Sequence, residues 1–259
     1  MTNFLLTALA VSMILNLSLF LVAFRFQTDR LTDASYGITF IILAIYGFVT
    51  CHATKFHLLI LLMVIIWAVR LSGFLLYRIW QKKKDARFDE MRHSFWMFGR
   101  FWLLQGLAVW VILIAGLLGL HQHVSVSGKL AVIGFLLWST GLIIESIADI
   151  QKYKFSIDTK PHDPWIATGL WKYSRHPNYL GEIMVWVGMY ALVFESLSTK
   201  GRLVGLASPI FIIVLLLFVS GIPILEKSAD KRWGKIKDYQ NYKSRTSVLL
   251  LLPNKKLIK

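Results

Sequence analysis

Long apolar runs, separated by short charged ones, set the pattern of this chain. Seven stand out: Phe4–Phe24, Ala34–Val49, Leu58–Trp80, Phe98–Leu120, Leu130–Ile147, Gly181–Phe194 and Leu203–Ile222. A bilayer crossing takes about 20 apolar residues in helical conformation. The pattern therefore predicts an all-α, polytopic membrane helical bundle with about seven transmembrane helices. The sixth run is short for a crossing, so its depth depends on how the bilayer adjusts around it. No basic segment precedes the first run and no small-residue cleavage site ends it, which makes it a span rather than a signal peptide. Residues 151–180 hold Pro161, Pro164 and Pro177 and read as an ordered loop. The tail from Glu226 to Lys259 reads as amphipathic and basic.

Composition agrees with a membrane protein: 56% of the residues are hydrophobic and the mean hydropathy is +0.58. Charge adds the orientation. Loops 1–2, 3–4, 5–6 and the tail carry 2, 7, 5 and 10 basic residues, 24 of the 29 in the chain. Basic residues accumulate on the cytoplasmic side, so the N-terminus is expected outside and the C-terminus in the cytoplasm. The net charge of +15 thus reflects cytoplasmic loops meeting membrane lipids, and no nucleic-acid partner is expected. The lone Cys51 leaves no internal disulfide and no cysteine-built zinc site. His121 and His123 lack partners at ligand spacing, so no metal is expected. Glycine-rich dinucleotide and P-loop signatures are missing, and any nucleotide is held by another fold.

The polar residues that resist this background mark the candidate site. Gly169-Leu-Trp-Lys-Tyr-Ser-Arg175-His176-Pro177-Asn178-Tyr179-Leu-Gly181-Glu182 runs directly into the apolar stretch Ile183–Phe194. Pro177 suits the first turn of a helix, where its missing N–H costs nothing. Asn178 and Glu182 then share one helical face. Acids at a membrane boundary are expensive unless something polar lies beside them, which makes this stretch a ligand site. Arg175 and Lys172 suit phosphate or carboxylate. A second cluster joins Glu145 and Asp149, four apart on the fifth span, with Lys152 and Lys154; i, i+3 ion pairing on a solvated helix end explains it equally well. The third, Lys82–Lys84 with Arg87 and Arg92, suits anionic headgroups. The fourth is the tail, Glu226…Lys231-Arg-Trp233-Gly234…Tyr239…Tyr242, read from its own residues as an interfacial amphipathic helix. Arg70, inside the third span, should face the bundle interior or a carboxylate.

Taken together, the Gly169–Glu182 stretch and the Glu226…Pro253 tail resemble the C-terminal region of the steroid 5-alpha-reductase superfamily. More closely, the chain resembles the bacterial membrane proteins of its DUF1295 family. Arg70-Leu-x-Gly73-x-x-Leu-x-Arg78…Asp85-x-Arg87-Phe88-Asp89-x-x-Arg92 and Phe101-Trp-x-x-Gln105-Gly106 extend the resemblance over most of the chain. It implies one transmembrane domain over 1–259, with three spans and a basic loop in 1–97. Residues 98–259 then form a reductase-like region with a cofactor site and cytoplasmic tail. The resemblance further implies NADPH held at Asn178, Tyr179 and Glu182, at Glu145 and Asp149, and at Arg87 and Tyr242. Lys152 and Arg175 join this cofactor-binding set as the cations beside it.

The substrate half of the superfamily pattern departs here. The second span has no interior acid, and Arg70 falls near the place of the catalytic tyrosine, with Tyr77 two turns further toward the cytoplasm. Tyr77, Tyr36 and Arg70 are the catalytic candidates, as donors to a substrate carbonyl. The expected activity is reduction of a carbonyl-conjugated double bond in a steroid-like or other lipophilic substrate entering from the bilayer. Related motifs occur in isoprenylcysteine carboxyl methyltransferases, so an S-adenosylmethionine-dependent lipid methyltransferase stands as the alternative. A non-catalytic lipid-binding protein is the third reading. A bacterial inner membrane is the expected location, or the ER membrane in a eukaryote.

Overall fold

In a computed structural model the protein is helical, and the description covers residues 1–51, 53–82, 91–122, 128–158 and 164–254, without the side chains of 30 and 78–82. The helices are α1 (Thr2–Arg25), α2 (Arg30–Val49), α3 (Lys55–Lys82), α4 (Phe95–His121), α5 (Lys129–Ile157), α6 (Pro177–Val193), α7 (Thr199–Gly205), α8 (Ala207–Val214), α9 (Ile222–Trp233) and α10 (Lys237–Arg245). No β-strand occurs among the described residues, where one parallel bridge joins Ser174 to Ser247. Six helical stretches there are long and apolar enough to cross a membrane: Thr2–Arg25, Leu31–Val49, Lys55–Tyr77, Phe95–His121, Lys129–Ile157 and Thr199–Trp233. The protein is thus an integral multi-pass membrane protein whose apolar helices contact lipid. Helix α6, at 17 residues, is about 25 Å long at 1.5 Å per residue.

Two compact units make up the chain. The first contains Met1–Val132 and Met189–Ser208. Here α2 packs on α3 and α1 on α4, while α4 also meets α2. Residues Ile112–Leu120 of α4 are buried on every side, as expected of a helix that is apolar all round. Glycine permits close approach: a Cβ on Gly119 would lie 2.5 Å from Cγ1 of Val193. Trp67, Trp102, Phe40 and Phe98 fill the core of this unit.

The second unit contains Ile133–Gly188 and Pro209–Lys259. Helices α5 and α6 cross on glycines at two levels. A Cβ on Gly181 would stand 2.6 Å from the Gly141 oxygen, and one on Gly188 would stand 2.7 Å from the Gly134 oxygen. Small residues let membrane helices bring their backbones together in this way.

Two features differ from the sequence expectation. Residues 151–157, expected in a loop, extend α5, because no proline or glycine interrupts its hydrogen bonding before Pro161. The last apolar run is not one regular helix: a π-helical turn occupies Leu215–Val219 and α9 restarts at Ile222 with Pro223 in its first turn. Proline is accommodated there and would break the helix deeper inside. Helix α6, by contrast, begins at Pro177, where the sequence placed it.

Candidate functional site

The second unit builds its polar region from the α5–α6 crossing outward. A Cβ on Gly181 would sit 2.6 Å from the backbone nitrogen of Glu145, so the start of α6 lies directly against the acidic face of α5. Glu145 and Asp149 are both buried on that face, 2% and 8% exposed. Asn178, Tyr179 and Glu182 occupy the first turns of α6 and are half-buried. The glycine beside Glu182 therefore unites the first two clusters of the sequence analysis.

One turn further along α5, the preceding loop is pinned in place. The Trp171 indole donates to the Ala148 carbonyl (3.1 Å), and the Leu170 N–H donates to Oε1 of Gln151 (3.0 Å). Gly169 takes a left-handed conformation, φ 57°, which favours glycine, and a Cβ there would have to displace the Gln151 amide 2.4 Å away. Lys152 places its ammonium 5.0 Å from the centre of the Trp171 ring.

The tail closes over this loop. The Arg175 N–H donates to the Ser247 carbonyl (2.8 Å), and the Ser174 hydroxyl donates to the Leu249 carbonyl (2.7 Å). The Tyr242 hydroxyl donates to the Trp171 carbonyl (2.9 Å). At the centre lies Glu226. Arg175 grips it with Nη2 at 3.0 Å from Oε2 and Nε at 3.2 Å from Oε1, the bidentate geometry that strengthens arginine–carboxylate pairs. Lys243 reaches the same carboxylate at 3.2 Å and Asp230 at 2.6 Å. Nε2 of His176 is 2.9 Å from Oε1 of Glu226, and its ring stacks on Tyr179 with centroids 5.7 Å apart.

Glu226 belongs to α9, whose sequence Ile-Pro-Ile-Leu-Glu-Lys-Ser-Ala-Asp-Lys-Arg-Trp is polar beyond Leu225 and lies past the apolar run. Burial pushes its carboxyl upward. The His176 hydrogen bond and the Arg175 charge outweigh burial and hold the pKa at about 2, so the carboxylate is ionised. Burial lowers the pKa of His176 against the opposing pull of Glu226. A neutral ring donates Nε2–H to the carboxylate and leaves its buried Nδ1 without a hydrogen-bond partner among the described residues. Burial also pushes the Tyr242 hydroxyl up, which keeps it protonated as a donor.

Beside this network is a cavity of about 520 Å³, within the roughly 300–1,000 Å³ usual for small-molecule sites. Its walls are aromatic, with Trp165, Trp171, Trp233, Tyr239 and Tyr242, and its charged groups are Lys152, Arg175 and Arg232 against Asp158 and Glu226. Among the described residues, three cations against two anions give it a positive bias. The guanidinium of Arg175 is already committed to Glu226 and to the Lys243 carbonyl at 2.6 Å. Lys152 and Arg232 are the other cations of its wall.

Of the residues expected from sequence, Lys152, Arg175 and Tyr242 line this cavity. Glu145, Asp149, Asn178, Tyr179 and Glu182 gather at the neighbouring α5–α6 junction. Tyr36, Arg70 and Tyr77 belong to the first unit. There Tyr36 packs its ring on Phe40 and Trp67, Arg70 is half-buried and Tyr77 is exposed. Arg87 lies outside the described residues. Sequence reasoning passed over Glu226 and His176 as site residues. The signal was an acid directly after Ile-Pro-Ile-Leu, as conspicuous as Glu182 before its own apolar run. For Trp165 no signal existed.

The fold and these clusters define a multi-pass helical membrane protein with a charged, aromatic ligand-sized cavity where helix ends and tail meet. The chain belongs to the family described as protein of unknown function DUF1295, whose family model matches residues 19–246. Nothing among curated proteins or solved structures matches the chain.

Proposed function

We propose that this protein is an NADPH-dependent reductase of a carbonyl-conjugated C=C bond in a steroid-like or other lipophilic substrate that enters from the bilayer. The observation carrying this reading is the glycine crossing at Gly181. It sets buried Glu145 and Asp149 against the α6 turns bearing Asn178 and Glu182, beside a positively biased aromatic cavity. Buried intramembrane acids are functional by default, and this donor set fits a dinucleotide. Carboxylates and an amide suit ribose hydroxyls and a carboxamide, while Lys152 and Arg232 suit phosphates.

Bound NADPH supplies a hydride to the substrate. The chain supplies the remainder. Asn178, Glu182 and Asp149 orient the sugar and amide groups, with Tyr179 and Glu145 beside them. Arg87 joins the phosphate set by the resemblance, and Arg175 holds Glu226 and the tail in position. The tryptophan walls exclude water, which strengthens each polar contact. Tyr36, Tyr77 and Arg70 are the candidates for donating a hydrogen bond to the substrate carbonyl oxygen and returning a proton. The distribution of basic residues supports a cytoplasmic cofactor side, with the N-terminus outside, and a bacterial inner membrane is the location proposed.

Calorimetry on the detergent-solubilised protein with NADPH and, separately, S-adenosylmethionine tests this. Expected is binding of NADPH that weakens at least tenfold in Glu182→Ala and in Asn178→Ala. Binding of S-adenosylmethionine alone would transfer the site to a lipid methyltransferase. Binding of neither would leave a lipid-binding protein.

A further inference from the structure

A hydrogen-bonded seam of uncharged residues runs through the first unit between α1, α2 and α4. Ser12, Asn16, Thr32, Ser35 and Thr39 are each no more than 1% exposed. The Ser12 hydroxyl donates to the Gly106 carbonyl at 2.8 Å, and the Asn16 amide donates to the Ser12 carbonyl at 2.9 Å and to Thr39 at 3.2 Å. At the open side of the seam stands Gln105, half-buried on α4. Its Nε2 lies 2.7 Å from the Ser35 hydroxyl, 3.1 Å from Oδ1 of Asn16 and 3.2 Å from the Thr32 carbonyl.

These partners fix which end of the Gln105 amide is which. The Thr32 carbonyl only accepts, so the atom facing it must be nitrogen. Asn16 is fixed likewise by the Ser12 carbonyl, which leaves its Oδ1 to accept from Gln105. With both N–H groups committed, Gln105 retains only acceptor capacity, at Oε1. Among the described residues that oxygen takes no hydrogen bond, and it is not sealed among the buried polar atoms. Gln105 lies ten residues into α4, about 15 Å along its axis at 1.5 Å per residue. With α4 centred on a hydrocarbon core about 30 Å thick, Gln105 lies inside the core, where lipid offers that oxygen no donor.

We infer that Gln105 is a recognition residue whose carboxamide oxygen, clamped in orientation by Asn16, Thr32 and Ser35, accepts a hydrogen bond from a hydroxyl or N–H group on a lipophilic molecule within the bilayer. This names the substrate class of the proposed reductase, a membrane-dissolved amphiphile bearing a neutral donor apart from its conjugated carbonyl, and it rests on that reading only for its link to turnover. Helix–helix adhesion alone explains the committed nitrogen. It gives no reason for an acceptor left open at hydrocarbon depth.

The test is photo-crosslinking of the full chain in nanodiscs. The probes are a diazirine-bearing long-chain alcohol and its methyl ether, identical except for the donor, and labelling is located by peptide mass spectrometry. Expected is at least fivefold more labelling of the α4 peptide containing Gln105 by the alcohol than by the ether. The preference should vanish in Gln105→Met and survive in Leu104→Ala, a change at an exposed neighbour. Equal labelling of wild-type protein by the two probes would overturn the inference, even if Gln105→Met does not fold. No NADPH is present, so an alcohol preference without NADPH binding would sustain this site while removing the reductase, and the converse result would do the reverse.

Discussion

The two units handle polarity within an apolar chain in opposite ways. In the first, the seam through Ser12, Asn16, Thr39, Ser35 and Gln105 is neutral, and its hydroxyls bond mostly to backbone carbonyls. Thr39 donates to the Ser35 carbonyl at 2.7 Å and Ser35 to that of Thr32 at 2.8 Å. In the second, the tail network is charged: Arg175, Lys243, Glu226 and Asp230 lie within 3.2 Å of their partners. The difference follows depth. In hydrocarbon a charge is far more costly than an amide, so contacts there are made with neutral groups. At helix ends, partial solvation makes ions tolerable.

Removing the central ion should produce the largest effect. Side chains of Arg175 and Glu226 are 10% and 17% exposed, so Glu226→Ala would strand a guanidinium and an imidazole, while Lys243 keeps Asp230. Breaking a buried pair from one side costs about 3–5 kcal/mol, and about 3 kcal/mol is expected at this partial exposure. Thermal unfolding followed by tryptophan fluorescence reads it directly, since Trp165, Trp171 and Trp233 line the adjoining cavity. Acid should act on the same network. The Glu226 pKa falls from an unfolded value near 4.5 to about 2, so its contribution is complete above pH 4.5 and is lost as pH drops toward 2. The pKa of His176 is also lowered. The unfolded chain therefore takes up that proton first, and loss from this group begins as pH falls below about 6.5. Glu226→Gln should flatten the lower part of the acid profile; an unchanged profile would place the transition elsewhere.

How much of this was legible beforehand divides along the same boundary. The apolar runs located the helices because a crossing has a fixed length, and Pro177 marked the start of α6 because proline carries no N–H. Glu182 and Asp149 were conspicuous because acids beside apolar runs need a physical reason. The partner of Arg175 was not legible: Glu226 lies 51 positions away, and no periodicity reports on a contact made by a returning tail. The seam was equally silent. Ser12, Asn16 and Thr39 sit singly within apolar runs, and only the packing of α1, α2 and α4 shows that they meet. Gln105 entered through the family resemblance, without a role.

Next in size is the glycine crossing that joins the two acidic clusters. A methyl group on Gly181 would meet the Glu145 nitrogen and the Gly141 oxygen, both at 2.6 Å. These are backbone atoms that move only with their helices. Overpacking of this kind costs about 1–3 kcal/mol, and it separates α5 from α6 at the level of Glu182. Gly181→Ala should therefore lower the melting temperature and weaken NADPH at least tenfold in calorimetry. Gly73→Ala is the matched control: nothing lies within 4 Å of its added Cβ, and replacing an exposed helical glycine stabilises by about 0.5–1 kcal/mol. A loss at both positions would mean that glycine serves flexibility rather than close approach.

The smallest effect should come from the neutral seam, which makes it the sharpest test of the contrast. Asn16 donates to Ser12 and Thr39 and accepts from Gln105, so its amide bonds to both neighbouring helices. Yet interhelical hydrogen bonds in membranes average only about 0.6 kcal/mol, because the separated helices find other partners in lipid. Asn16→Leu should therefore cost about 1 kcal/mol, well below Glu226→Ala despite its complete burial. That cost should also be the same from pH 4 to 8, since nothing in the seam titrates there. A loss as large as that of Glu226→Ala would show that desolvation, rather than charge, sets the scale in both units. The neutral residues would then be as consequential for the fold as the ions at the helix ends.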